Sequence, residues 1–165
     1  MSEFDIGKSV RRIEDERFLK GQGKFVDDIS LPGESFVFIL RSTHPHAEIL
    51  SMDVSKAIEA EGVLLVLTGE DVAADGLGGI PCTQLAGDGG WLKGHRTYQS
   101  LLVHKRVRHV GDRVAMVVAE SKDQARNAAE LIDISYDPMP FVSHLERAGE
   151  AKAPRCPGFS NSGAK

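Results

Sequence analysis

The sequence predicts an α+β domain in which a few helices pack on a mixed sheet. Apolar runs of strand length occur at 36–40 and 63–67, and apolar and polar residues alternate at 50–54. A helical period is clearest at 121–132. The chain has 165 residues, of which 41% are apolar, so it can form one globular domain with a substantial core.

Composition argues against several classes of protein. A net charge of −4 leaves no basic surface for nucleic-acid phosphates. The two cysteines, Cys82 and Cys156, are too few and too far apart for a disulfide framework or a CxxC motif, which favours a reducing compartment. No stretch approaches the roughly 18 apolar residues of a membrane span. We therefore expect a cytoplasmic protein that binds neither nucleic acid nor a membrane.

The chain is predicted to have three parts. Residues 1–35 are polar and rich in glycine and proline, which is typical of an extended N-terminal arm packing on the domain. Residues 36–145 form the core. Residues 146–165 carry almost no apolar side chains, so they are expected to be a disordered tail.

Five strands are expected within the core in addition to the strand at 63–67. The run Phe36–Leu40 suits a strand buried on both faces, with the strand at 50–54 pairing beside it. Residues 101–121 predict a hairpin that reverses at Gly111 and Asp112. A further strand is expected from 132 to 136, and residues 74–99 are expected to be a long loop.

Three helix starts are indicated by polar side chains before helical segments. Ser55 is expected to cap a helix that Gly62 ends, and Thr68 to cap a brief turn containing Glu70 and Asp71. Ser121 and Gln124 have capping-box spacing, and the alanines that follow recur at i, i+3 and i+4. That alanine face is expected to pack on the sheet.

The stretch LRSTHPHAEI places two histidines one residue apart after an apolar run. In extended backbone His44 and His46 would point to one face and could share a metal. Zinc would also need ligands such as His95, His104 or His109, and no spacing predicts that they meet. Because Pro45 suits a turn, we favour a structural role for both histidines.

Other candidate sites also favour structural interpretations. The glycines at 76–79 and 87–90 match no phosphate-binding motif, and no basic group flanks Cys82 in the sequence. The acid pairs Asp27–Asp28 and Glu70–Asp71 suit turns and helix starts. The arginines of the expected hairpin are interpreted as a solvated strand face, with an acidic partner surface as the alternative; they are Arg106, Arg108 and Arg113. The residues alone indicate no catalytic, cofactor or metal site.

Four segments resemble, in order, the start of the large subunit of the molybdenum hydroxylases. They are GKSVRRIEDERFLKGQGKFVDDISLPG, LRSTHPHAEI, GVLLVLTGEDV and VRHVGDRVAMVVAESKDQARNAAELIDISYDPMP, spanning Gly7 to Pro140. This family includes xanthine dehydrogenase, aldehyde oxidase and aerobic carbon monoxide dehydrogenase. The motif residues Arg41, Ser42, His44, His46 and Gly111 match the family pattern, whereas Thr43 and Pro45 depart from it.

The resemblance implies an α/β hammerhead domain that precedes the part of the subunit holding the molybdopterin–molybdenum cofactor. It implies a structural, subunit-packing role and gives the five motif residues no catalytic, cofactor or metal-binding task. The expected partners are the remaining large-subunit domains, or iron–sulfur and flavin subunits, with a homo-oligomer as a further expectation. The isolated chain is then expected to be inactive.

The last residues depart from the family pattern. From about Ala148 the sequence does not continue in the way expected of a run leading toward a second domain. A truncated chain, a frameshifted gene or an isolated domain would each explain this departure. The alternative function is a free-standing module with the hammerhead fold that binds a small ligand or a protein. Neighbouring genes for the rest of the enzyme would favour the packing role, and their absence would favour the module.

Overall fold

The structure is a computed structural model, and it describes residues 11–80, 99–150 and 152–154. The chain divides into two compact units, Met1–Glu34 and Ser35–Lys165. The described part of the first unit contains helix α1 (Asp15–Leu19) and a 3-10 turn (Val26–Asp28) where an extended arm was predicted. Packing of this arm on the domain stays a prediction.

The second unit contains two antiparallel sheets of three strands each. Its elements are β1 (Phe36–Arg41), β2 (Ala47–Asp53), α2 (Ser55–Ile58), β3 (Val63–Thr68), α3 (Gly69–Ala74), β4 (Arg106–Val107), β5 (Arg113–Ala119), α4 (Lys122–Glu130), β6 (Asp133–Pro138) and α5 (Leu145–Ala148). Sheet A has the order β1-β5-β3, and sheet B has the order β4-β2-β6. The predicted α+β class is confirmed.

The pairing of the strands differs from the prediction in two places. Strand β2 does not pair with β1; it lies between β4 and β6, whereas β1 pairs with β5. The expected hairpin at Gly111 and Asp112 is also wrong, because β4 and β5 belong to different sheets. Gly111 does turn the chain, with φ at 87°. Local sequence therefore located the turn and not the partners of the strands that flank it.

Helix α4 covers one face of sheet A, as its alanine pattern predicted. The Ser121 hydroxyl accepts a hydrogen bond from the backbone N–H of Gln124 at 3.2 Å, which caps the helix. Ala125, Ala128 and Ala129 are buried, and α4 packs against all three strands of sheet A. Small side chains allow the helix to lie close to the buried Val117 of β5.

The start of α3 is fixed by reciprocal hydrogen bonds. The Thr68 hydroxyl accepts from Glu70 N at 3.2 Å, while Thr68 donates its backbone N–H to Asp71 Oδ2 at 2.7 Å. Hydrogen bonds from the Thr68 side chain and backbone hold the pKa of Asp71 below its usual range. The predicted Thr68 cap is confirmed. Ser55, by contrast, is the first residue of α2, and Val54 occupies the cap position.

Several predictions lie at or outside the edges of the described chain. Helix α5 (Leu145–Ala148) crosses the boundary at which the disordered tail was expected to begin. The segment 81–98, with Cys82, His95 and the second glycine cluster, lies outside the described residues, as does Cys156. Within the described ranges, no helix is long and apolar enough to cross a membrane.

Candidate functional site

The connection between β1 and β2 is held by hydrogen bonds to the Gly111 turn. We call residues 41–46 the HPH turn. Ser42, only 2% exposed, donates its backbone N–H to the Asp112 carbonyl and accepts from Gly111 N, both at 2.8 Å. Arg41 Nη1 donates to the Gly111 carbonyl at 2.9 Å. The structure therefore brings Arg41, Ser42 and Gly111 together, although the two turns are 70 residues apart in the chain.

The Ser42 side chain shapes the turn from within. Its hydroxyl accepts from His44 N at 3.0 Å and lies 3.1 Å from the His44 carbonyl, to which it donates. These hydrogen bonds satisfy the backbone N–H and carbonyl groups of His44, which follows the end of β1. A chain with alanine at position 42 would leave these groups without their partner.

The two histidines of the turn have different neighbours. The His44 ring lies against Tyr136 of β6, with ring centroids 4.5 Å apart. His46 is buried, and its Nδ1 is 2.9 Å from the Pro140 carbonyl oxygen. The His46 carbonyl accepts from Met139 N at 2.9 Å. The HPH turn thus binds the segment that follows β6.

Tyr136 links this network to sheet B. Partial burial raises the pKa of its hydroxyl above the usual value, and a side-chain hydrogen bond with Ser42 acts in the opposite direction. Tyr136 packs against the buried cluster of Ala47, Val103, Val107 and Val114. Its hydroxyl is therefore neutral at physiological pH and serves as a hydrogen-bonding group.

Metal binding at the HPH turn has little support from the geometry. A carbonyl can only accept, so Nδ1 of His46 carries a proton and cannot be a ligand while this hydrogen bond is made. Across residues 11–80, 99–150 and 152–154, no three His, Cys, Asp or Glu side chains converge as metal ligands would. The structural role predicted for both histidines stays a prediction, and these contacts support it.

Sequence reasoning missed Asp112, Tyr136 and Pro140 as partners of the HPH turn. Asp112 is 8% exposed, and its carboxylate accepts from Arg108 N at 3.0 Å. An acid directly after a turn glycine is a signal that could have indicated this role. Nothing in the sequence could have paired His46 with Pro140, because 94 residues separate them.

The arginines expected on a solvated hairpin face make specific contacts. Arg106 donates to the Glu48 carboxylate across the β2–β4 pair, and Arg113 donates to the Ser100 carbonyl at 3.1 Å. Both side chains are partly buried. The interpretation as a simple solvated face was therefore wrong for these two residues.

The acid pairs serve the local roles predicted for them. Asp28 Oδ2 accepts from Phe25 N at 2.9 Å, which closes a short turn in the first unit. Asp71 closes the start of α3 through Thr68.

One face of sheet A is apolar and is not part of either buried cluster of the described residues. The strand register places two rows of apolar side chains there, which we call the outer face: Val37, Val118 and Leu65, then Ile39, Met116 and Leu67. Val37 and Leu65 are 55% and 47% exposed, and the other four are half-buried. Burial of β1 on both faces was therefore predicted wrongly. An apolar face of this kind is typical of a surface that another polypeptide covers.

Comparison with known proteins identifies the family. The family model described as aldehyde oxidase and xanthine dehydrogenase, a/b hammerhead domain, matches residues 20–140. The chain belongs to this family. The hammerhead domain thus comprises both sheets and α4.

Relatives and solved structures agree with this assignment. The carbon monoxide dehydrogenase large chain of Afipia carboxidovorans is 38% identical over 149 residues, which are 90% of this chain and 17% of that protein. Subunit gamma of the 6-hydroxypseudooxynicotine dehydrogenase complex of Paenarthrobacter nicotinovorans is 35% identical over 97% of this chain and 20% of that protein. The quinoline 2-oxidoreductase structure from Pseudomonas putida 86 is 43% identical, with a TM-score of 0.72 over 90% of this chain and 18% of that one.

The cavity formed beside β2 and the start of α3 does not fit the anionic pterin cofactor that the family implies. This cavity has a volume of about 570 Å³ and is lined by three carboxylates, Glu48, Glu70 and Asp71, against one lysine, Lys105. A phosphate group placed there would be repelled by the net negative charge. We therefore derive no chemical step through the cofactor in this domain.

Proposed function

We propose that this hammerhead domain is a structural, subunit-packing part of a molybdopterin-dependent oxidoreductase large subunit. The observation that carries the proposal is the outer face of sheet A. Six apolar side chains in cross-strand rows would be covered by the rest of the subunit, while α4 covers the opposite face. In this account the metal and catalytic base reside in polypeptide beyond the domain.

The lengths of the relatives support this proposal. The chain spans 17–20% of the first two curated relatives, one described as a large chain and the other as a subunit of a complex. Internal interfaces between domains commonly bury about 600–1,500 Å². We propose further large-subunit polypeptide as the main partner, and iron–sulfur and flavin subunits as partners of the assembled enzyme.

Placing charge on the outer face should change association without unfolding the domain. The test variant combines Val37→Asp with Leu65→Asp. Because both positions are about half exposed, the melting temperature should fall by only a few degrees, the shift that corresponds to about 1 kcal/mol. The native chain should self-associate through this face as its concentration rises, and the double variant should stay monomeric in light scattering.

The control for this experiment is Leu50→Asp, which introduces a single aspartate at an exposed residue of β2 outside the outer face. It should self-associate as the native chain does. A native chain that is monomeric at every concentration, or a double variant that associates equally, would contradict the packing role of this face.

The purified chain should contain no molybdenum, no iron and no stoichiometric zinc, and should not reduce dyes with aldehydes, purines or carbon monoxide. The reason is that the described residues supply no converging ligand set, and that the cavity of about 570 Å³ is lined by three carboxylates against one lysine. Elemental analysis and a dye-reduction assay check this. About one equivalent of zinc, lost in a His44→Ala, His46→Ala double variant, would refute the structural assignment of the HPH turn.

A further inference from the structure

Strand β2 extends beyond its partner β4 along one edge of sheet B. Strand β4 pairs only with the first two residues of β2, and a hydrogen bond of 2.8 Å from Ile49 N to the Lys105 carbonyl continues the contact. The chain before Lys105 then leaves this edge, since Val103 N donates to the Arg113 carbonyl of sheet A at 2.7 Å. Beyond Ile49, no strand of the described residues pairs with this side of β2. We call the second half of β2 on this side the open edge.

The backbone groups of Met52 point toward the open edge. Met139 N donates to the His46 carbonyl at 2.9 Å, so the backbone of Met139 faces β2. Alternate residues of an antiparallel strand face the same partner, and the irregularity in this pair lies on β2, so Ile134 faces away from β2. Met52 is the register partner of Ile134. Its N–H and carbonyl groups are therefore directed away from β6.

The cavity of about 570 Å³ lies along the open edge. It is lined by residues 48–52 of β2, by residues 68–71 at the start of α3 and by residues 103–105. Because Ile49 bonds to this last segment, the cavity lies on the side to which the backbone groups of Met52 point. A strand edge that offers backbone donors and acceptors to an open groove is a template for an added strand.

The charges along the groove favour a basic segment as the added strand. Glu48 is paired with an arginine of β4, whereas Glu70 is exposed. Hydrogen bonds from the Thr68 side chain and backbone hold the pKa of Asp71 below its usual range, so this carboxylate is ionised at neutral pH. Among the described lining residues, Lys105 is the one lysine or arginine. A lysine or arginine in the groove would therefore be attracted, and an acidic segment would be repelled.

We propose that large-subunit polypeptide outside this domain adds a strand to sheet B along the open edge. The added strand exchanges backbone hydrogen bonds with Met52 and places a lysine or arginine beside Glu70 and Asp71. This inference rests on the proposed function. The first two curated relatives supply the source, because 80% or more of each lies outside the matched segment. A second copy of this chain is a poorer occupant, since its own open edge would bring the same carboxylates into the groove.

Three short peptides test the added strand on the full chain, with the Met52 amide followed by ¹H–¹⁵N NMR and hydrogen exchange. They are acetyl-Thr-Lys-Val-Lys-Thr-amide, its acidic counterpart acetyl-Thr-Glu-Val-Glu-Thr-amide, and a copy of the basic peptide whose central amides are N-methylated. The basic peptide should shift the Met52 amide and slow its exchange, and the other two should bind at least about tenfold more weakly. Equal binding of the basic and acidic peptides, equal binding of the N-methylated copy, or no binding would overturn the proposal. Protection of Met52 on concentrating the chain alone would identify a second copy as the occupant and would also overturn it.

Charge reversal at Glu70 tests the role of the carboxylates. Glu70→Lys changes an exposed side chain, so the domain should remain folded. Its affinity for the basic peptide should fall roughly threefold or more. The control Glu120→Lys makes the same change at an exposed residue directly after β5, outside the groove, and should keep the native affinity. Equal affinities of the two variants would refute the role of charge in the groove.

Hydrogen exchange in a longer chain tests the source of the added strand. When this domain replaces the matching segment of the Afipia large chain, the Met52 amide should exchange at least about tenfold more slowly than in the 165-residue chain. Equal exchange rates in the two chains would contradict the large subunit as the source. The outer-face experiment reports on sheet A and not on sheet B, so it tests the proposed function independently of this inference.

Discussion

Replacing Ala128 with glutamate should unfold the hammerhead domain. Ala128 is 1% exposed and lies in the cluster that joins α4 to sheet A, with Ala115 and Val117 as members. A glutamate there is both too large and unable to find a partner for its charge among apolar neighbours. We expect a loss of at least about 3 kcal/mol, a large part of the 5–15 kcal/mol that stabilises an ordinary domain.

Thermal melting followed by circular dichroism measures this effect. The matched control is Asn127→Glu, which adds the same side chain to the exposed side of α4 and should change stability by less than about 0.5 kcal/mol. Equal melting curves for the native chain and Ala128→Glu would contradict the packing of α4 on sheet A.

Gly69→Ala should have the second large effect, through a backbone clash. A Cβ atom at Gly69 would overlap the Val103 carbonyl group and would lie 2.5 Å from His104 N. These are backbone atoms that cannot rotate away. The segment would have to move, which disturbs the buried Val103 side chain and the 2.7 Å hydrogen bond from Val103 N to the Arg113 carbonyl. We expect a loss of about 2–4 kcal/mol.

Chemical denaturation of Gly69→Ala tests this expectation against Gly78→Ala. A methyl group added at Gly78 would have no other atom within 4 Å, and the φ of this residue is outside the left-handed region. Its replacement should be neutral or slightly stabilising, because alanine restricts the unfolded chain. Similar denaturation midpoints for the two variants would show that the backbone at 103–104 does not approach α3 this closely.

The elements predicted best are those specified by neighbouring residues. The Ser121 cap and the alanine spacing of α4 lie within about three turns of helix, and the Thr68–Asp71 pairing spans three residues. Turn chemistry was equally local, since Gly111 has the positive φ that a glycine in a reversal suggests. For these elements, the sequence within one or two turns decides the structure.

The features predicted wrongly depend on residues far apart in the chain. Strand β5 has the apolar run of a central strand, but its position between β1 and β3 depends on pairings that no local pattern encodes. The continuous apolar run of β1 suggested burial on both faces, whereas Val37 is 55% exposed. An apolar run indicates which faces of a strand are buried in the complete protein, and these include faces that another domain covers.

The candidate site likewise contains some residues that the sequence identified and some contacts that it did not. The match to the family pattern identified the five motif residues, and the structure places Arg41, Ser42 and Gly111 in one hydrogen-bonded network. The partners that define the two histidines, Tyr136 and Pro140, come from a segment about 90 residues later. Such contacts follow from the fold and not from spacing.

The most direct test of the packing role is a chimaera of a related enzyme. In it, the matching segment of the Afipia carbon monoxide dehydrogenase large chain is replaced by this domain, with which it shares 38% identity. One chimaera carries the native outer face and the other carries Val37→Asp and Leu65→Asp. The quantity measured is the molybdenum content of the purified complex.

We expect the native-face chimaera to assemble and to hold molybdenum. The double-aspartate chimaera should yield at least about tenfold less molybdenum-containing complex, because burying two unpaired carboxylates in the interface costs well over about 1.4 kcal/mol. Equal molybdenum content in the two chimaeras would contradict the claim that the outer face packs against the rest of the large subunit.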